Sequence, residues 1–396
     1  MIEFQEAQRI VIEKAKQLSV EEVSLGKALN SVLAEDVISK INLPPFDNSA
    51  MDGFACRFED GQEASSENPI SLEVIDNEPA GKVSKEKVER GTAIKIMTGA
   101  PIPEGANAVI PIEYTEEKGS KVSLFKPLKE GENIRLAGED IREREVVFRK
   151  GNKIGPHEIG LLAALGVSSI KVWRKPVVAF ISTESELVDI SEQLTPGKIR
   201  DSNSYLLQAL IEDCGAIPLN LGRIGDDKEK IKEKIKEALS KADVVVTTGG
   251  VSVGEYDLVK DAILEAGTEL AFWKVAQKPA KPIAFFIVGD KLIFGLPGNP
   301  GAVIIGFEEY VRPALLKIMG HKRLFYPVIK AKLSHDIRKK PGRINFMRVV
   351  VYKKDNNYYV SSSGGQGSGI LKSFIKSNGL ALIPKERDFM NEGEEV

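Results

Sequence analysis

The opening segment of the chain carries apolar residues at helical spacing. They recur every three or four positions, the period of one face of an α-helix, and are Phe4, Ala7, Val11, Ala15 and Leu18. A second short helix is predicted from about Ser24 through LGKALNSVLAEDV, and another over PHEIGLLAALGV, from Pro156 to Val167. Because short helices do not bury their faces alone, we expect the N-terminal helices to pack with the segment from about Arg135 to Arg174.

Residues 45–133 show a different pattern. Short runs of alternating apolar and polar residues, such as Ile70 to Asp76 and Thr92 to Met97, are separated by Gly, Pro and Asn. Alternation with a period of two, bounded by turn residues, is typical of β-strands. We therefore predict a β-rich domain inserted into the N-terminal one.

From Pro176 onwards, apolar runs alternate with helical patterns. The predicted strands are VVAFIS, IPLNLGRI and the run that ends in TTGG, and the predicted helices between them are SNSYLLQALIEDCG and the lysine-rich segment from Asp227 to Lys241. This alternation over about 150 residues predicts a parallel, doubly wound sheet.

The last seventy residues return to β patterns, in FYPVIKAKLS, NFMRVVVYKK and YYVSSS, while GGQGSG (Gly364 to Gly369) is predicted to be a loop. The fold class is therefore multidomain α/β plus β. The predicted domains are an extended helical and β N-terminal domain (1–44 and 134–175), the inserted β domain (45–133), an α/β domain (176–325) and a small C-terminal β domain (326–396).

Composition narrows the functional classes. The chain has 396 residues with 55 basic and 57 acidic ones, a formal charge of −2, and no basic stripe that would favour nucleic acid. Cys56 and Cys214 lie in unrelated segments and are expected to be free thiols of a reducing compartment. None of the three histidines is spaced to pair with Cys or carboxylates, which argues against a zinc site.

The N-terminus carries charges from Glu3 onwards and has no apolar core of a signal peptide. No apolar run approaches the ~18 residues of a membrane span. We expect a cytoplasmic protein with no membrane partner.

The segment DVVVTTGGVSVGEYD, from Asp243 to Asp257, predicts a buried strand that opens into a loop. Gly249, Gly250 and Gly254, with Ser252 between them, allow the backbone to approach a ligand closely. A helix is predicted to follow from Glu255, and its free N–H groups would favour an anion. The carboxylates of Glu255 and Asp257 favour a phosphate-bound divalent cation over a bare phosphate. The alternative is a tight turn with no ligand.

A second turn of the same kind is GLPGNP, which follows the apolar residues Ile293 and Phe294 and precedes a predicted helix near Gly301. Pro297 and Pro300 stiffen this turn, while Gly298 and Asn299 tolerate positive φ. Two such turns in one α/β unit are expected together at the carboxyl ends of the strands, where these folds bind ligands.

Three carboxylates are predicted at the same rim, because Glu186, Asp226 and Asp257 each follow a predicted strand. Hard oxygen ligands favour Mg²⁺, partly hydrated and shared with a pyrophosphate-like group. For Asp226 the alternative is a helix cap.

Lys274 and Lys278 stand four residues apart in a proline-rich stretch predicted to be an extended loop, where an anion would relieve their mutual repulsion. The alternative is an exposed basic loop.

Taken together, TTGGVSVGEYD, AFWKVAQKPAKP and GLPGNP resemble the motifs of the MoeA family, the molybdopterin molybdenumtransferases, which include the E domain of gephyrin. Further segments that resemble family motifs cover nearly the whole chain. They are NSAMDGFA, IMTGAPIPEGANAVIPIE, RLAGEDI, STESEL, IRDSNSY and GGQGS. The resemblance implies a MogA-like central domain and an enzyme that inserts molybdate or tungstate into adenylylated molybdopterin with release of AMP.

The resemblance also implies roles for individual residues. Glu186, Asp226, Asp257, Lys274 and Lys278 would serve the nucleotide and Mg²⁺. The substrate-binding residues would be Gly249, Gly250, Ser252, Gly254, Pro297, Asn299, Pro300, Arg348 and Ser368. Arg348 and Ser368 would hold the incoming oxyanion, through a guanidinium fork and a hydroxyl. Asp52 and Thr98 would complete the site of the neighbouring subunit in a homodimer.

Two departures from the family pattern stand out. Glu184 and Ser185 occupy positions where relatives usually have Gly and Asp, and Gly365 stands where a His is common. Two other functions remain open at this point. One is molybdopterin adenylyltransferase, whose single domain resembles residues 176–325, and the other is a scaffold such as the gephyrin E domain. The sequence does not separate molybdate from tungstate.

Overall fold

The computed structural model of the chain describes residues 1–78, 81–250 and 258–396. These residues form two compact units. The first contains Met1–Ala34, Gly151–Gly155 and Ile170–Val396, and the second contains Glu35–Lys150 and Pro156–Ser169. Each unit combines parts of several predicted domains, so the four domain boundaries remain predictions.

The centre of the first unit is a six-stranded sheet. Its strands are β1 (Val177–Ser182), β2 (Ile217–Arg223), β3 (Val244–Thr248), β4 (Glu269–Trp273), β5 (Ala284–Val288) and β6 (Lys291–Leu296). They lie in the order β2-β1-β3-β6-β5-β4. The first four of this order are parallel, as the sequence predicts, with Val178 opposite Val244 and Thr248 opposite Leu296. The strands β5 and β4 extend the sheet in antiparallel fashion, which the sequence analysis did not predict.

Helices cover both faces of this sheet. The helix Ser202–Asp213 buries Leu207 and Ile211 on one face, and Lys228–Lys241 buries Ile231 and Ile235 on the other. A third helix, Leu258–Glu265, packs on the same face as Lys228–Lys241. Side chains that alternate along the strands fill the two cores separately, which is the arrangement of a doubly wound sheet.

Aspartates cap two of these helices. A carboxylate oxygen of Asp201 accepts a hydrogen bond from the backbone N–H of Ser204 at 3.0 Å, and Asp227 accepts one from Lys230 at 3.2 Å. Each cap satisfies an N–H group that a helix start leaves without a partner. The cap before Lys228 is therefore Asp227, which leaves Asp226 available for other contacts.

A continuous helical segment follows the GLPGNP turn. It consists of the α-helix Pro300–Gly306, one π-helical turn over Phe307–Val311, and the α-helix Arg312–Ile318. Glu309 lies on the π turn and accepts a hydrogen bond from Nε2 of Gln8 at 3.0 Å. Burial, and then the charge of Glu308, raise the pKa of Glu309 to about 7.

The N-terminal helix spans Phe4–Lys14 and ends before the predicted Ala15 and Leu18. The prediction of a second helix from Ser24 is wrong. Residues Val20–Ser24 form a strand that pairs with Ser169–Trp173, and only a short 3-10 turn, Leu25–Lys27, follows. Asn30 has a φ of 62°, and the chain then runs extended, with the N–H of Leu33 bonded to the carbonyl of Asn152 at 3.0 Å.

The C-terminal part of the first unit is a small β structure, as predicted. Its main sheet contains Gln277–Lys278, Ile344–Lys354, Asn357–Ser362 and Lys332–Leu333 in that order, and Gly379–Ile383 pairs with Ile344–Lys354. The strands Ile337–Arg338 and Phe389–Met390 pair with each other, and one short helix spans Lys372–Lys376. Residues 364–369 form a loop, as predicted.

The second unit is rich in β-structure, as the sequence predicts. Its six-stranded sheet has the order Ala108–Pro111, Gly53–Cys56, Thr92–Ile96, Ile70–Glu78, Lys121–Leu124 and Thr115–Lys118. Two further pairs join Val37–Ile38 to Val146–Phe148 and Asn48–Ser49 to Ile134–Arg135. The helices of this unit are Phe58–Gly61, the 3-10 turn Ile112–Tyr114 and Pro156–Ala164, of which the last was predicted.

Within the described ranges, none of the helices combines the length and the apolar character that spanning a bilayer requires.

Candidate active site

The order of the parallel strands fixes where a ligand can bind. The chain passes from β1 to β2 on one side of β1 and then to β3 on its other side. The loops that follow β1 and β3 therefore diverge at their carboxyl ends and leave a crevice between them, which is the position at which open α/β sheets bind ligands. The loop after β1 carries Glu184 to Glu186, and the turn after β3 begins with Gly249 and Gly250.

The turn after β3 needs its two glycines. Gly249 has a φ of 84° and Gly250 a φ of 63°, in the left-handed region that side chains disfavour. The N–H of Gly249 donates to the carbonyl of Leu296 at 3.0 Å, which ties this turn to the end of β6. The turn after β3 and the GLPGNP turn are thus brought together, as the sequence predicts.

Glu184 fills the space between these two turns. A methyl group built on Gly298 would lie 1.7 Å from Oε1 of Glu184, and one built on Gly249 would lie 2.5 Å from its Cγ. Gly298 is not in the left-handed region, and Asn299 has a φ of −64°. Position 298 therefore requires glycine because the Glu184 carboxylate lies against its backbone, and not because of an unusual backbone angle.

Carboxylates surround Glu184. Desolvation is the largest cause that raises the pKa of Glu184, and the charges of Glu186, Asp201 and Asp226 raise it further. Asp226 accepts a hydrogen bond from the hydroxyl of Ser185 at 2.7 Å and is exposed, as is Glu186. The structure thus places Glu186 and Asp226 at one rim of the sheet, together with a third carboxylate, that of Glu184, to which the sequence analysis gave no role.

The rim is suited to Mg²⁺ in the chemistry of its donors. Glu186 and Asp226 offer exposed carboxylate oxygens, and Mg²⁺ in proteins commonly takes one or two carboxylates together with phosphate oxygens and water. Among the described residues, no group of three or more His, Cys, Asp or Glu is placed to hold a metal ion. The predicted third ligand, Asp257, lies outside the described residues, as do Ser252 and Gly254.

The GLPGNP turn is anchored on both sides. Nδ2 of Asn203 donates to the carbonyl of Gly298 at 2.7 Å, and Pro300 occupies the first turn of the following helix. The N–H of Gly301 donates to the carbonyl of Ser368 at 2.7 Å. This last bond attaches the glycine loop of the C-terminal sheet directly to the α/β rim.

Arg348 holds this glycine loop (residues 364–369) through hydrogen bonds to its carbonyls. Its side chain is fully buried, and its Nη2 donates to the carbonyls of Gly365 at 2.8 Å and Gly367 at 3.0 Å, while Nε donates to the hydroxyl of Ser373 at 3.1 Å. The guanidinium also lies 4.8 Å from the centre of the Phe374 ring. Nη1 is buried without a hydrogen-bond partner among the described residues, and burial lowers the pKa of Arg348. The hydroxyl of Ser368 makes no hydrogen bond to a described residue.

The two predicted lysines lie in different surroundings. Lys274 has a φ of 67° and its Nζ lies 3.5 Å from the centre of the Trp273 ring, a cation–π contact. Lys278 belongs to the two-residue strand Gln277–Lys278, opposite Asn345. Neither lysine forms an ion pair with a carboxylate of the described part of the chain, so both charges are available to an anion.

In the second unit, Asp52 and Thr98 contact each other. Both the backbone N–H and the hydroxyl of Thr98 donate to Oδ1 of Asp52 at 2.7 Å. These two bonds lower the pKa of the Asp52 carboxyl. Asp52 and Thr98, which the family resemblance assigns to the same site, thus form one exposed acidic position.

A cavity of about 930 Å³ opens beside the rim. Its walls carry Asp201, Tyr205, Lys198 and Arg223, and Glu184 closes one side. The sequence analysis quoted the motifs STESEL and IRDSNSY but gave no role to Glu184, Asp201 or Asn203. The signal was available, since polar residues that directly follow a buried strand or begin a helix at this edge of a parallel sheet face the crevice.

The fold and this rim first define a class of protein: a doubly wound α/β domain with a ligand crevice at the carboxyl ends of its strands, joined to additional domains. Residues 179–317 match the family described as "Probable molybdopterin binding domain". Residues 2–166 match "MoeA N-terminal region (domain I and II)", and residues 330–396 match "MoeA C-terminal region (domain IV)".

Relatives match nearly the whole chain. A protein of Staphylococcus epidermidis named molybdopterin molybdenumtransferase is 38% identical over 384 residues, 97% of this chain and 91% of its own length. A protein of the same name from Bacillus subtilis is 39% identical over 387 residues, 97% of this chain and 90% of its own length. The crystal structure of the moeA protein of Pyrococcus horikoshii has a TM-score of 0.81 and 36% identity, and covers 100% of this chain and 98% of its own.

The chain belongs to the MoeA family. The family resemblance, the fold class and the prediction of an enzyme of molybdenum cofactor biosynthesis are thereby confirmed. The roles of individual residues, the Mg²⁺ requirement and the homodimer remain predictions.

Proposed function

We propose that the chain inserts molybdate, or tungstate, into adenylylated molybdopterin and releases AMP. One observation carries this proposal: two glycine turns, a group of carboxylates and the glycine loop of the C-terminal sheet meet at a single edge of the α/β sheet. The bond from Gly301 to Ser368 joins the GLPGNP turn to this glycine loop. A nucleotide-bearing substrate and an oxyanion would both find suitable partners there.

The glycine turns would accept the phosphoanhydride. Gly249, Gly250 and Gly298 present backbone without side chains, which allows a diphosphate to approach closely. Lys274 and Lys278 would supply positive charge to the same substrate, because neither is neutralised by a described carboxylate. Pro297, Asn299 and Pro300 would keep the second turn in shape.

Glu186, Asp226 and Asp257 would hold Mg²⁺ at this rim. Bound there, the ion would neutralise charge on the phosphoanhydride as the bond to AMP breaks. The described carboxylates of Glu184, Glu186 and Asp226 lie close together and would otherwise repel the diphosphate, which supports a cation between them and the substrate. The hydrogen bond from Ser185 fixes the orientation of Asp226 for this task.

The oxyanion would bind at the glycine loop. The hydroxyl of Ser368 faces no protein partner among the described residues, and the buried positive charge of Arg348 lies beneath the loop. A positive charge in a dry environment attracts a dianion more strongly than one in water. Arg348 would therefore act both through its charge and by holding the loop carbonyls in place.

The proposed net reaction balances simply. Water cleaves the phosphoanhydride and yields AMP and the phosphate of molybdopterin. The two dithiolene sulfurs take the place of one oxygen of the oxyanion, which leaves as water with both thiol protons. Asp52 and Thr98 of one subunit would complete the site of the other in a homodimer, as the family resemblance implies.

The test is an assay of AMP release from adenylylated molybdopterin with Mg²⁺ and either oxyanion. We expect AMP to appear when molybdate or tungstate is present and to fall to background without Mg²⁺. An adenylyltransferase would instead attach AMP to molybdopterin from ATP with no oxyanion added, and a scaffold would do neither.

A further inference from the structure

Glu184 occupies an unusual position in the crevice. Its carboxylate lies against the backbone of Gly298, where an added methyl group would come within 1.7 Å of Oε1. Its stem lies against Gly249, where an added methyl group would come within 2.5 Å of Cγ. The side chain is half-buried and so fills the gap between the two glycine turns.

No positive charge among the described residues is paired with this carboxylate, and none of their donors forms a hydrogen bond to it. Among the described residues, the charged groups that raise its pKa are Glu186 on the same loop, Asp201 at the start of the neighbouring helix, and Asp226 beyond β2. All three are acidic. Burying part of a carboxylate that has no partner among the described residues costs free energy, and this cost would be removed if the side chain moved out of the crevice.

We propose that Glu184 occupies, in the free chain, the subsite in which a tetrahedral oxyanion of the substrate binds, and that it lowers the affinity for that oxyanion because it must first leave. The inference rests on the proposed function, which assigns these two turns to the phosphates of the substrate. A phosphate of the substrate that approaches the backbone of Gly249 and Gly298 needs the volume that the carboxylate fills. Two anions at contact distance also repel each other strongly in a half-buried site.

Two substitutions separate charge from volume. Glu184→Gln removes the charge and keeps the size of the side chain, whereas Glu184→Gly removes both. Glu186→Gln is the matched control, because it removes one negative charge two residues away from a side chain that is exposed and does not lie between the turns. Binding of AMP, of molybdate and of the uncharged adenosine is measured by calorimetry in the presence of a chelator.

We expect Glu184→Gln to bind AMP or molybdate at least about fivefold more tightly than the unaltered chain, and Glu184→Gly more tightly still. Glu186→Gln should change either affinity less than Glu184→Gln does. Adenosine carries no phosphate, so it should bind all four proteins equally. A merely structural role of Glu184 would instead change the binding of all three ligands. Tightening confined to AMP would identify a phosphate as the occupant of this subsite. Tightening confined to molybdate would place the molybdate at these turns and would overturn its assignment to the glycine loop of the C-terminal sheet.

Unchanged or weaker binding of both anions to the Glu184 variants would overturn the inference. If the unaltered chain still releases AMP in the activity assay, the proposed function survives that result. If AMP and molybdate bind to none of the four proteins, the assignment of these turns to the substrate fails together with the inference.

Discussion

Replacement of Arg348 by alanine should release the glycine loop from the α/β rim. The structure shows three hydrogen bonds from its guanidinium, two of them to the carbonyls of Gly365 and Gly367. A hydrogen bond from a charged donor contributes roughly 1.5–3 kcal/mol. Both glycines are exposed, so water can replace part of the lost hydrogen bonding to their carbonyls. Nη1 is buried without a hydrogen-bond partner among the described residues, so its removal also recovers part of the desolvation cost of the guanidinium. We expect a net local destabilisation of about 2–4 kcal/mol.

Hydrogen exchange gives a direct reading of this loss. The N–H of Gly301 is protected by the carbonyl of Ser368, and the N–H of Arg348 itself donates to Oε1 of Gln366 at 2.9 Å. In Arg348→Ala, loop opening should become at least about thirtyfold more frequent, which corresponds to about 2 kcal/mol. The amide of Gly301 should exchange faster by the same factor.

Activity should change in parallel. The molybdate or tungstate concentration for half activity should rise about tenfold to a hundredfold, while the affinity for adenylylated molybdopterin should change little. Arg348→Lys keeps a charge but does not reproduce the planar fork, so it should recover only part of the loss. Arg338→Ala, which removes an exposed arginine of the same β structure, is the control and should behave like the unaltered chain.

Two results would refute this reasoning. Unchanged exchange at Gly301 in Arg348→Ala would show that the guanidinium does not hold the loop. A weaker affinity for adenylylated molybdopterin with an unchanged oxyanion concentration for half activity would show that the two ligands are wrongly assigned to the α/β turns and the C-terminal loop.

Three further predictions concern other parts of the chain. Asp257→Asn should fold normally but lose Mg²⁺-dependent AMP release by at least ~10²-fold, and turnover like that of the unaltered chain would rule out its metal role. Mixing inactive Asp52→Ala with inactive Asp257→Ala should restore some activity through heterodimers that carry one intact site, whereas a fully active monomer would contradict the shared site. Glu309 has a folded pKa of about 7 against an ordinary 4.5, so its stabilising contribution is complete below about pH 4.5 and is lost as pH rises through 7. Glu309→Gln should therefore melt higher than the unaltered chain at about pH 8 and similarly at about pH 4.5, and an equal difference at both would contradict the shift.

Much of the α/β fold could be predicted because its strands are continuous apolar runs. Val177–Ser182 and Val244–Thr248 are buried on both faces, so each is a continuous apolar run that can be recognised in the sequence. The segment wrongly predicted as a helix after Ser24 has apolar residues at Ala28, Val32 and Leu33, a spacing that resembles a helical face. The structure buries all three, and Leu33 bonds to a distant segment of extended chain, a tertiary effect that local spacing does not contain.

The site was predictable in outline and not in detail. Glycines and carboxylates after parallel strands indicate where a ligand binds, and Glu186 and Asp226 do lie at one rim. Glu184 carries no periodic signal, and its importance appears only when the two glycine turns close on either side of it. For Arg348, the sequence analysis expected the guanidinium to bind an oxyanion directly. The structure shows the guanidinium donating to loop carbonyls instead. This burial depends on residues far away in the sequence, so it could not be predicted locally.

The most direct test of the proposed function is the stoichiometry of a single turnover. The purified chain is mixed with adenylylated molybdopterin, Mg²⁺ and molybdate or tungstate, and AMP and protein-bound metal cofactor are quantified together. We predict that one AMP is released for each metal inserted into the dithiolene, and none when the oxyanion is omitted. AMP release with no metal incorporated, or adenylylation of molybdopterin from ATP without any oxyanion, would contradict it.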